Sequence, residues 1–305
     1  MNRRQVLAGI ATATAVATVP MVSSAAAKRE SFKYALNMST IRGHKLGFMK
    51  EIEVASKAGF PHVEIWINSL QEYLKNGGTT ADARKHLNDS GVIVEDAIGF
   101  APWIVDDAAT RTKAVEQLKQ EMGILAEIGC TRIAAPPMGA TNEPGLDLKK
   151  AADRYRTILE LGDTMGVVPH LELWGFSKNL SRVSELLYVA TESGHPSAKV
   201  LMDVYHLYRG GSGLEQVAWV GKPFIEIFHM NDYPASPPRD TIKDSDRVYP
   251  GDGVGPLSQL LRTLKNPEKP VILSLEVFNP AYYAQDALVV AKTGLAKMKA
   301  ATNGI

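Results

Sequence analysis

Four side chains that can bind a metal ion stand near the ends of four short apolar segments. The segments are VVPHLELW, AKVLMDVYH, IEIFHMND and PVILSLEV, and the side chains are Glu172, Asp203, His229 and Glu276. Three carboxylates and one imidazole suit a hard or borderline divalent cation better than a thiolate-type zinc site does. The pattern therefore predicts a divalent metal site, with Mn²⁺ as the preferred ion and Mg²⁺, Co²⁺ or Zn²⁺ as alternatives.

The segments that carry these residues belong to a longer series in which strand-like and helix-like stretches alternate. The strand-like stretches are short and rich in Val, Ile and Leu, as strands buried on both faces are. The helix-like stretches, such as TKAVEQLKQEMGILAEIG, are amphipathic. The predicted strands are Lys33–Met38, His62–Ile67, Val92–Ile98, Arg132–Ala135, Val167–Leu173, Lys199–Val204, Ile225–Met230 and Val271–Val277.

This alternation predicts an α/β fold, a single (β/α)8 TIM barrel. A doubly wound open sheet is the alternative, but no glycine-rich phosphate loop follows the first predicted strand. In a barrel, the four candidate ligands fall at the C-terminal ends of strands five to eight. Barrel enzymes place their chemistry at that end, so we expect the four side chains to meet there.

The N-terminus resembles a twin-arginine-type export signal. Arg3 and Arg4 precede a mildly apolar Ala/Thr-rich stretch, and Ala25, Ala26 and Ala27 offer a cleavage site. We therefore expect a signal peptide over residues 1–27, a single barrel domain over residues 28–305, and a periplasmic location. The apolar stretch is too short and too weakly apolar for a stable membrane span. An Ala-rich disordered tail is the alternative.

The charge balance and the single cysteine exclude other classes of protein. Residues 1–27 contain two arginines and no acid, so 32 basic residues remain against 33 acidic ones. A chain so close to neutral does not have the basic surface of a nucleic-acid-binding protein. Cys130 is the only cysteine, so no intramolecular disulfide is possible. We expect Cys130 to be a small buried apolar residue.

Five motifs give the chain a resemblance to a known family. HLELW, DVYH, HMND, RVYPGDG and LSLEV occur in this order, and the chain resembles the xylose isomerase-like TIM barrel superfamily over about residues 32–298. The most similar branch is that of ketose 3-epimerases and hydroxypyruvate isomerases. The resemblance implies that all four candidate residues bind the metal, and that Glu172 and Glu276 also act as the acid/base pair.

The resemblance further implies that His206 and Arg247 bind substrate oxygens, and that the protein is a sugar isomerase or epimerase. Its substrate would be a keto-sugar or a sugar phosphate, converted through a cis-enediolate that a divalent metal stabilises as a Lewis acid. Carboxylates on two sides of the substrate, Glu172 and Glu276, would take the proton and return it to the other face or to the adjacent carbon. The alternative is a lyase or dehydratase acting on keto-sugars, keto-glycosides or inososes, because the same enediolate can eliminate a substituent.

Aromatic and acidic residues at other strand ends are further candidates for binding substrate. Trp66, Trp103 and Trp174 lie at or just beyond predicted strand ends, where Trp66 and Trp174 would stack on a sugar ring. Packing of loops over the barrel is the alternative role for these side chains. Glu64 and Asp96 end strands two and three and could hydrogen-bond substrate hydroxyls.

Two departures from the related epimerases leave the substrate open. Those enzymes carry an acid shortly after the first ligand, where this chain has Lys178, and their segment corresponding to residues 231–250 is shorter. That segment is rich in proline and charge, which is typical of a lid, a contact surface or an ordinary insertion. His170, two residues before Glu172, is a candidate for supporting the ligands from behind.

The sequence argues against two other classes of function. An abasic-site endonuclease needs more histidine ligands and a positive DNA groove, and the sequence shows neither. A barrel that binds a glycan without turnover would not need acids on both sides of a complete ligand set. We therefore expect a small-molecule sugar substrate, no nucleic-acid partner, no membrane span in the mature chain, and association as a homo-oligomer as an open possibility.

Overall fold

The computed structural model describes residues 31–266 and 268–305, in which strands and helices alternate. The strands are β1 (Phe32–Asn37), β2 (His62–Trp66), β3 (Ile93–Ile98), β4 (Arg132–Ala135), β5 (Val168–Glu172), β6 (Lys199–Asp203), β7 (Ile227–Met230) and β8 (Val271–Leu275). The helices are α1 (Phe48–Ala58), α2 (Ile67–Lys75), α3 (Thr80–Ser90), α4 (Ala108–Ile128), α5 (Leu148–Met165), α6 (Val183–Glu192), α7 (Val204–Gly210), α8 (Leu257–Leu264), α9 (Pro280–Tyr283) and α10 (Ala287–Thr302). Short 3-10 helices cover Met38–His44, Leu214–Trp219, Lys222–Phe224 and Asp244–Asp246.

The eight strands form one nearly closed parallel barrel. Their order is β3-β2-β1-β8-β7-β6-β5-β4, so the first strand pairs with both the second and the last. The two strands at the ends of this order, β3 and β4, also contact each other. The TIM-barrel prediction is confirmed, and the open doubly wound sheet is excluded because the sheet curves back on itself.

Apolar side chains fill the barrel below the site. Ala35, Ala134, Leu201, Ile227 and Ile272, from β1, β4, β6, β7 and β8, form a buried cluster. A second, larger cluster lies between the strands and the surrounding helices. Because both faces of the strands are buried, the strands read as nearly continuous apolar runs, as predicted.

Helix ends are fixed by local hydrogen bonds. The carboxylate of Asp107 accepts a hydrogen bond from the backbone of Thr110 at the start of α4, and Asp147 caps α5 in the same way. Gly129 ends α4 with a φ of 88°, a left-handed conformation that a glycine adopts without steric cost. These caps fix where α4 and α5 begin and where α4 ends before β4.

An ion-pair network lies at the N-terminal ends of the strands, opposite the predicted metal site. The carboxylate of Glu95 lies 3.1 Å from Lys33 Nζ, 2.9 Å from His62 Nδ1 and 3.1 Å from an Arg132 nitrogen. Burial alone would raise the pKa of Glu95, but His62, Lys33 and Arg132 lower that pKa to about 2. Arg132 also pairs with Glu226 at 2.9 Å. Charges in this position act on the stability of a barrel rather than on its chemistry.

Residues 231–250, for which the sequence left a lid, a contact surface or an insertion open, form an ordered cover over one side of the barrel. Asp232 pairs with Val248 through both backbone groups, and its carboxylate accepts backbone hydrogen bonds from Gly251, Gly253 and Gly255. Tyr233 in this segment stacks on Tyr208 with ring centroids 3.8 Å apart. The cover therefore has a fixed path, which carries the residues before Gly251 back over the strand ends.

The predicted signal peptide, residues 1–27, lies outside the described residues. Within residues 31–266 and 268–305, no helix combines the length and the apolar composition that crossing a membrane requires. Cys130 is fully buried, as expected.

Candidate metal and substrate site

Three of the four predicted ligands meet at the C-terminal ends of neighbouring strands. Asp203 ends β6, His229 lies in β7 and Glu276 directly follows β8. One ligand atom from each of the three lies within 4.8 Å of the others. His229 Nδ1 is 3.1 Å from a Glu276 oxygen and 4.0 Å from an Asp203 oxygen, and all three side chains are buried. The parallel register brings together residues that are far apart in the sequence.

Glu172, the fourth predicted ligand, lies at the wall of a chamber beside this group rather than within it. It ends β5 and is buried, and its Oε2 has no hydrogen-bond partner among the described residues. Burial raises the pKa of Glu172 to about 8, with His229 opposing the increase and Glu276 adding to it. Glu276 lines the same chamber. The structure thus places two carboxylates around one space.

His229 is held from below by Glu64. Glu64 Oε1 accepts a hydrogen bond from His229 Nε2 at 2.9 Å, and Glu64 Oε2 accepts bonds from Asn37 Nδ2 and Ser274 Oγ at 2.8 and 2.5 Å. Because a carboxylate only accepts, His229 Nε2 carries a proton, which leaves Nδ1, directed at Asp203 and Glu276, as the nitrogen that could bind a metal. Glu64 is fully buried. The sequence suggested that Glu64 binds substrate hydroxyls. The structure instead places Glu64 beneath His229.

Arg247 enters this cluster from the cover segment. One guanidinium nitrogen donates to Asp203 at 2.9 Å and to Glu276 at 2.7 Å, while the other donates to His206 Nε2 at 3.1 Å. The guanidinium lies 4.4 Å above the ring of Tyr205 and is 1% exposed. Burial and the charge of Arg247 lower the pKa of His206 to about 3, so His206 is a neutral acceptor. Arg247 and His206 both line the chamber, where the sequence had placed substrate contacts.

The chamber has a volume of about 230 Å³ and is walled mainly by aromatic rings. Trp66 and Trp174, predicted from the sequence, line it together with residues that the sequence analysis missed. The missed residues share a signal, since each follows a strand end or belongs to the cover: Phe100, Phe278, Asp244. Asn37 and Asn231, also missed, bond to Glu276 and Asp203 at 3.2 and 2.7 Å.

Three other candidates lie elsewhere. Trp103 is buried, and its indole donates to the carbonyl oxygen of Pro136. Asp96 is fully buried, and burial together with the charge of Glu64 raises its pKa. His170 lines a different cavity with Arg132, near the N-terminal ends of the strands, so it does not support the ligands. Neither Trp103 nor Asp96 lines the chamber.

The cluster has the composition that a divalent cation requires. Four carboxylates, counting Glu64 and Glu172, stand against one guanidinium and one imidazole, all buried. His229 Nδ1 has no aligned hydrogen-bond partner among the described residues, and it faces two carboxylates. Oxygen and imidazole donors of this kind suit Mn²⁺, Mg²⁺, Co²⁺ or Zn²⁺, and excess buried negative charge is compensated by such an ion. The residues present therefore fit the predicted metal.

The sequence matches the family described as xylose isomerase-like TIM barrel over residues 52–300. The chain belongs to the xylose isomerase-like TIM barrel family. It is 28% identical over 253 residues to the inosose isomerase of Halalkalibacterium halodurans, an alignment that covers 80% of this chain and 88% of that protein. It is 23% identical over 257 residues to the 3-dehydroshikimate dehydratase of Pseudomonas aeruginosa, covering 81% of this chain but 38% of the other.

Solved structures of this family have the same barrel. The IolI protein with a bound zinc atom superposes with a TM-score of 0.80 at 21% identity, covering 89% of this chain and 98% of that one. At this identity the likeness shows the fold alone. Membership of the xylose isomerase-like family agrees with the fold predicted from the sequence.

Proposed function

We propose that this barrel is a metal-dependent isomerase or epimerase that moves a proton next to the carbonyl group of a sugar or cyclitol. The observation that carries the proposal is the chamber itself, because Glu172 and Glu276 line it from different strands beside the Asp203–His229–Glu276 group. Two carboxylates around one space are what proton removal and return require. The inosose isomerase relative supports the same reaction class.

Each residue has a task in this reaction. Asp203, His229 and Glu276 would hold a divalent cation. Glu172, which lines the chamber, would be the fourth ligand of this cation when substrate is bound. When bound, the cation supplies Lewis-acid stabilisation of the charge that develops on substrate oxygen. Glu172 and Glu276 accept and return the proton at their carboxylate oxygens. His206 Nε2 and Arg247 fix the orientation of substrate oxygens at the chamber wall.

We propose further that the substrate is uncharged. Arg247 is the only cationic side chain at the chamber wall among the described residues, and its terminal nitrogens already bind Asp203, Glu276 and His206. A phosphate ester would therefore find no free cationic side chain at the chamber wall to bind it. Aromatic walls suit the apolar faces of a neutral ring. A neutral keto-sugar or inosose is accordingly favoured over a sugar phosphate.

Deuterium exchange tests this function directly. The Mn²⁺-loaded protein is incubated in D₂O with a panel of inososes, keto-sugars and keto-sugar phosphates, and exchange at carbon is followed by NMR. We expect exchange with a neutral member, reduced roughly 100-fold or more in Glu172→Gln and Glu276→Gln. Glu95→Gln, at the opposite end of the barrel, is the matched control and keeps its exchange. Undiminished exchange in both active-site variants would contradict the mechanism.

A lyase or dehydratase is the second candidate, supported by the dehydratase relative. The same two carboxylates can remove the proton and protonate a departing hydroxyl or alkoxyl group. The products in the exchange experiment decide between the two reactions. An isomeric ring supports the isomerase or epimerase, whereas loss of water or of an alcohol from the substrate supports the lyase.

We also propose that the protein is exported. The proposal rests on the Arg3–Arg4 pair, the Ala/Thr-rich stretch and the small residues before Lys28. The twin-arginine route transports folded proteins, so a metal would enter the site before transport.

A further inference from the structure

A second cavity lies next to the chamber at the same end of the barrel. Its volume is about 740 Å³, and it is lined by the 3-10 helix and loop after β1, by the first turn of α1 and by residues along α2. Among its lining residues are Arg42, Lys45, Asn68, Glu72 and Asn76. We call it the β1–β2 groove. Nothing in the proposed reaction at the chamber uses it.

The side chain of Trp66 is the wall between the groove and the chamber. Trp66 lines both spaces. On the chamber side its ring contacts Phe100 and Phe278, with centroids 5.1 and 6.2 Å away. On the groove side the guanidinium of Arg42 lies 3.9 Å from the ring centroid. A ligand in the chamber and a ligand in the groove would therefore touch the same indole.

The position of this wall is tied to the catalytic carboxylates. The indole nitrogen of Trp66 donates to Asn37 Oδ1 at 3.3 Å, and Asn37 Nδ2 donates to Glu276 at 3.2 Å and to Glu64 at 2.8 Å. Trp66 is half-buried at the edge that the two spaces share, so a two-ring substrate would lie across its indole. The groove opens directly beside the reacting centre, not at a distance from it.

The chamber and the groove differ in size, and each could hold a different part of one substrate. At about 230 Å³, the chamber is smaller than the roughly 300–1,000 Å³ of usual ligand pockets and has room for one small ring. The groove, at about 740 Å³, lies within that range. Substrates that consist of a single ring would leave the groove unused, whereas a ring with a substituent would extend into it.

The groove has the chemistry to bind a second sugar ring. Arg42 is exposed, and no described carboxylate lies within salt-bridge distance of it, so its donors are available to hydroxyl groups. Asn68 and Asn76 offer donors and acceptors, and Tyr73 and Trp66 offer aromatic surface. We propose that the groove binds the second ring of a glycoside whose first ring reacts in the chamber. This rests on the proposed function, since it extends the substrate of the same site.

Binding of unreactive probes tests the groove without relying on turnover. The full-length, Mn²⁺-loaded protein is titrated by calorimetry with methyl β-glucoside, glucose and myo-inositol as single rings. Cellobiose, maltose, trehalose and an inositol galactoside serve as two-ring probes. We expect at least one two-ring probe to bind roughly tenfold or more tightly than its single-ring counterpart, the gain of about one charge-assisted hydrogen bond.

Two variants locate that gain. Asn68→Trp places a large side chain in the groove, and Arg42→Ala removes the guanidinium beside Trp66, so each should reduce the two-ring preference to about twofold or less. Arg262→Ala, an exposed arginine on α8, is the matched control and should leave the preference intact. Circular dichroism verifies that all three variants are folded.

The outcomes separate this inference from the proposed function. Equal binding of single-ring and two-ring probes, or a preference that survives Asn68→Trp, overturns the groove assignment while leaving the chamber reaction standing. Absence of binding by every probe overturns the groove as a carbohydrate site. A groove-dependent preference together with no deuterium exchange on any substrate supports the groove and rejects the proposed reaction.

Discussion

Glu64→Gln is the variant that best tests how the site is built. Glutamine keeps the shape of the side chain but removes its charge and replaces one acceptor by an NH₂ donor. Glu64 is fully buried and bonds to His229, Asn37 and Ser274 at distances between 2.5 and 2.9 Å. No solvent is available to relieve a mismatch at this position.

Both orientations of the new amide are unfavourable. If its oxygen faces His229, its NH₂ group meets the NH₂ donor of Asn37. If its NH₂ group faces His229, the imidazole must shift its proton to Nδ1, the atom that points at Asp203 and Glu276. A protonated Nδ1 cannot bind a metal. The first orientation costs about 1–3 kcal/mol of stability, and the second directly opposes the ligand set.

We therefore expect Mn²⁺ affinity to fall about 10–100-fold, the usual effect of removing a carboxylate behind a metal-binding histidine. Competition with a chelator of known affinity measures the change, and urea unfolding of the metal-free protein measures stability. Glu95→Gln is the matched control, because it removes another buried carboxylate, at the other end of the barrel. It should reduce stability and leave Mn²⁺ affinity unchanged. Equal Mn²⁺ affinity in Glu64→Gln and wild type would refute the reasoning.

Three further predictions concern Arg247, Glu95 and the N-terminal arginine pair. Arg247→Ala removes the cation that pairs with the buried carboxylates of Asp203 and Glu276. In the metal-free protein it should lower the free energy of unfolding by about 3–5 kcal/mol. Saturating Mn²⁺ should reduce this loss of stability, as measured by urea unfolding. An equal loss with and without Mn²⁺ would contradict the prediction. Since the pKa of Glu95 is lowered to about 2 in the folded protein, its stabilisation is complete above about pH 4.5 and is lost as the pH falls towards 2. Glu95→Gln should flatten this part of the stability–pH curve, and an unchanged slope would count against the network. Replacing Arg3 and Arg4 by lysine should retain the protein in the cytoplasm, as cell fractionation would show, and undiminished export would reject the twin-arginine route.

The sequence was sufficient for the fold and for the ends of the strands. Short continuous apolar runs indicate buried strands, and amphipathic stretches with a helical period indicate helices. A regular alternation of the two predicts a parallel barrel. Placement of Asp203, His229 and Glu276 at one end followed from that topology, because parallel strands end on the same side. These inferences needed only local patterns.

Roles that depend on which distant residues surround a side chain needed the tertiary structure. Glu64 and Trp66 are two residues apart on β2, yet one is buried under His229 and the other divides the chamber from the groove. Arg247 reaches the cluster because residues 231–250 fold back over the barrel along a path set by Asp232. Its sequence position, 18 residues beyond His229, contains no information about that path.

The physical reason for the difference is the separation in sequence of the residues that interact. A strand or a helix is specified by residues within a few positions, so its type and ends can be read from the chain. A hydrogen bond such as that between Glu64 and His229, which are 165 positions apart in the sequence, exists only after the barrel has closed. The sequence by itself determined which groups stand at the reacting end. Only the tertiary structure decided which of them face the substrate and which hold the others in place.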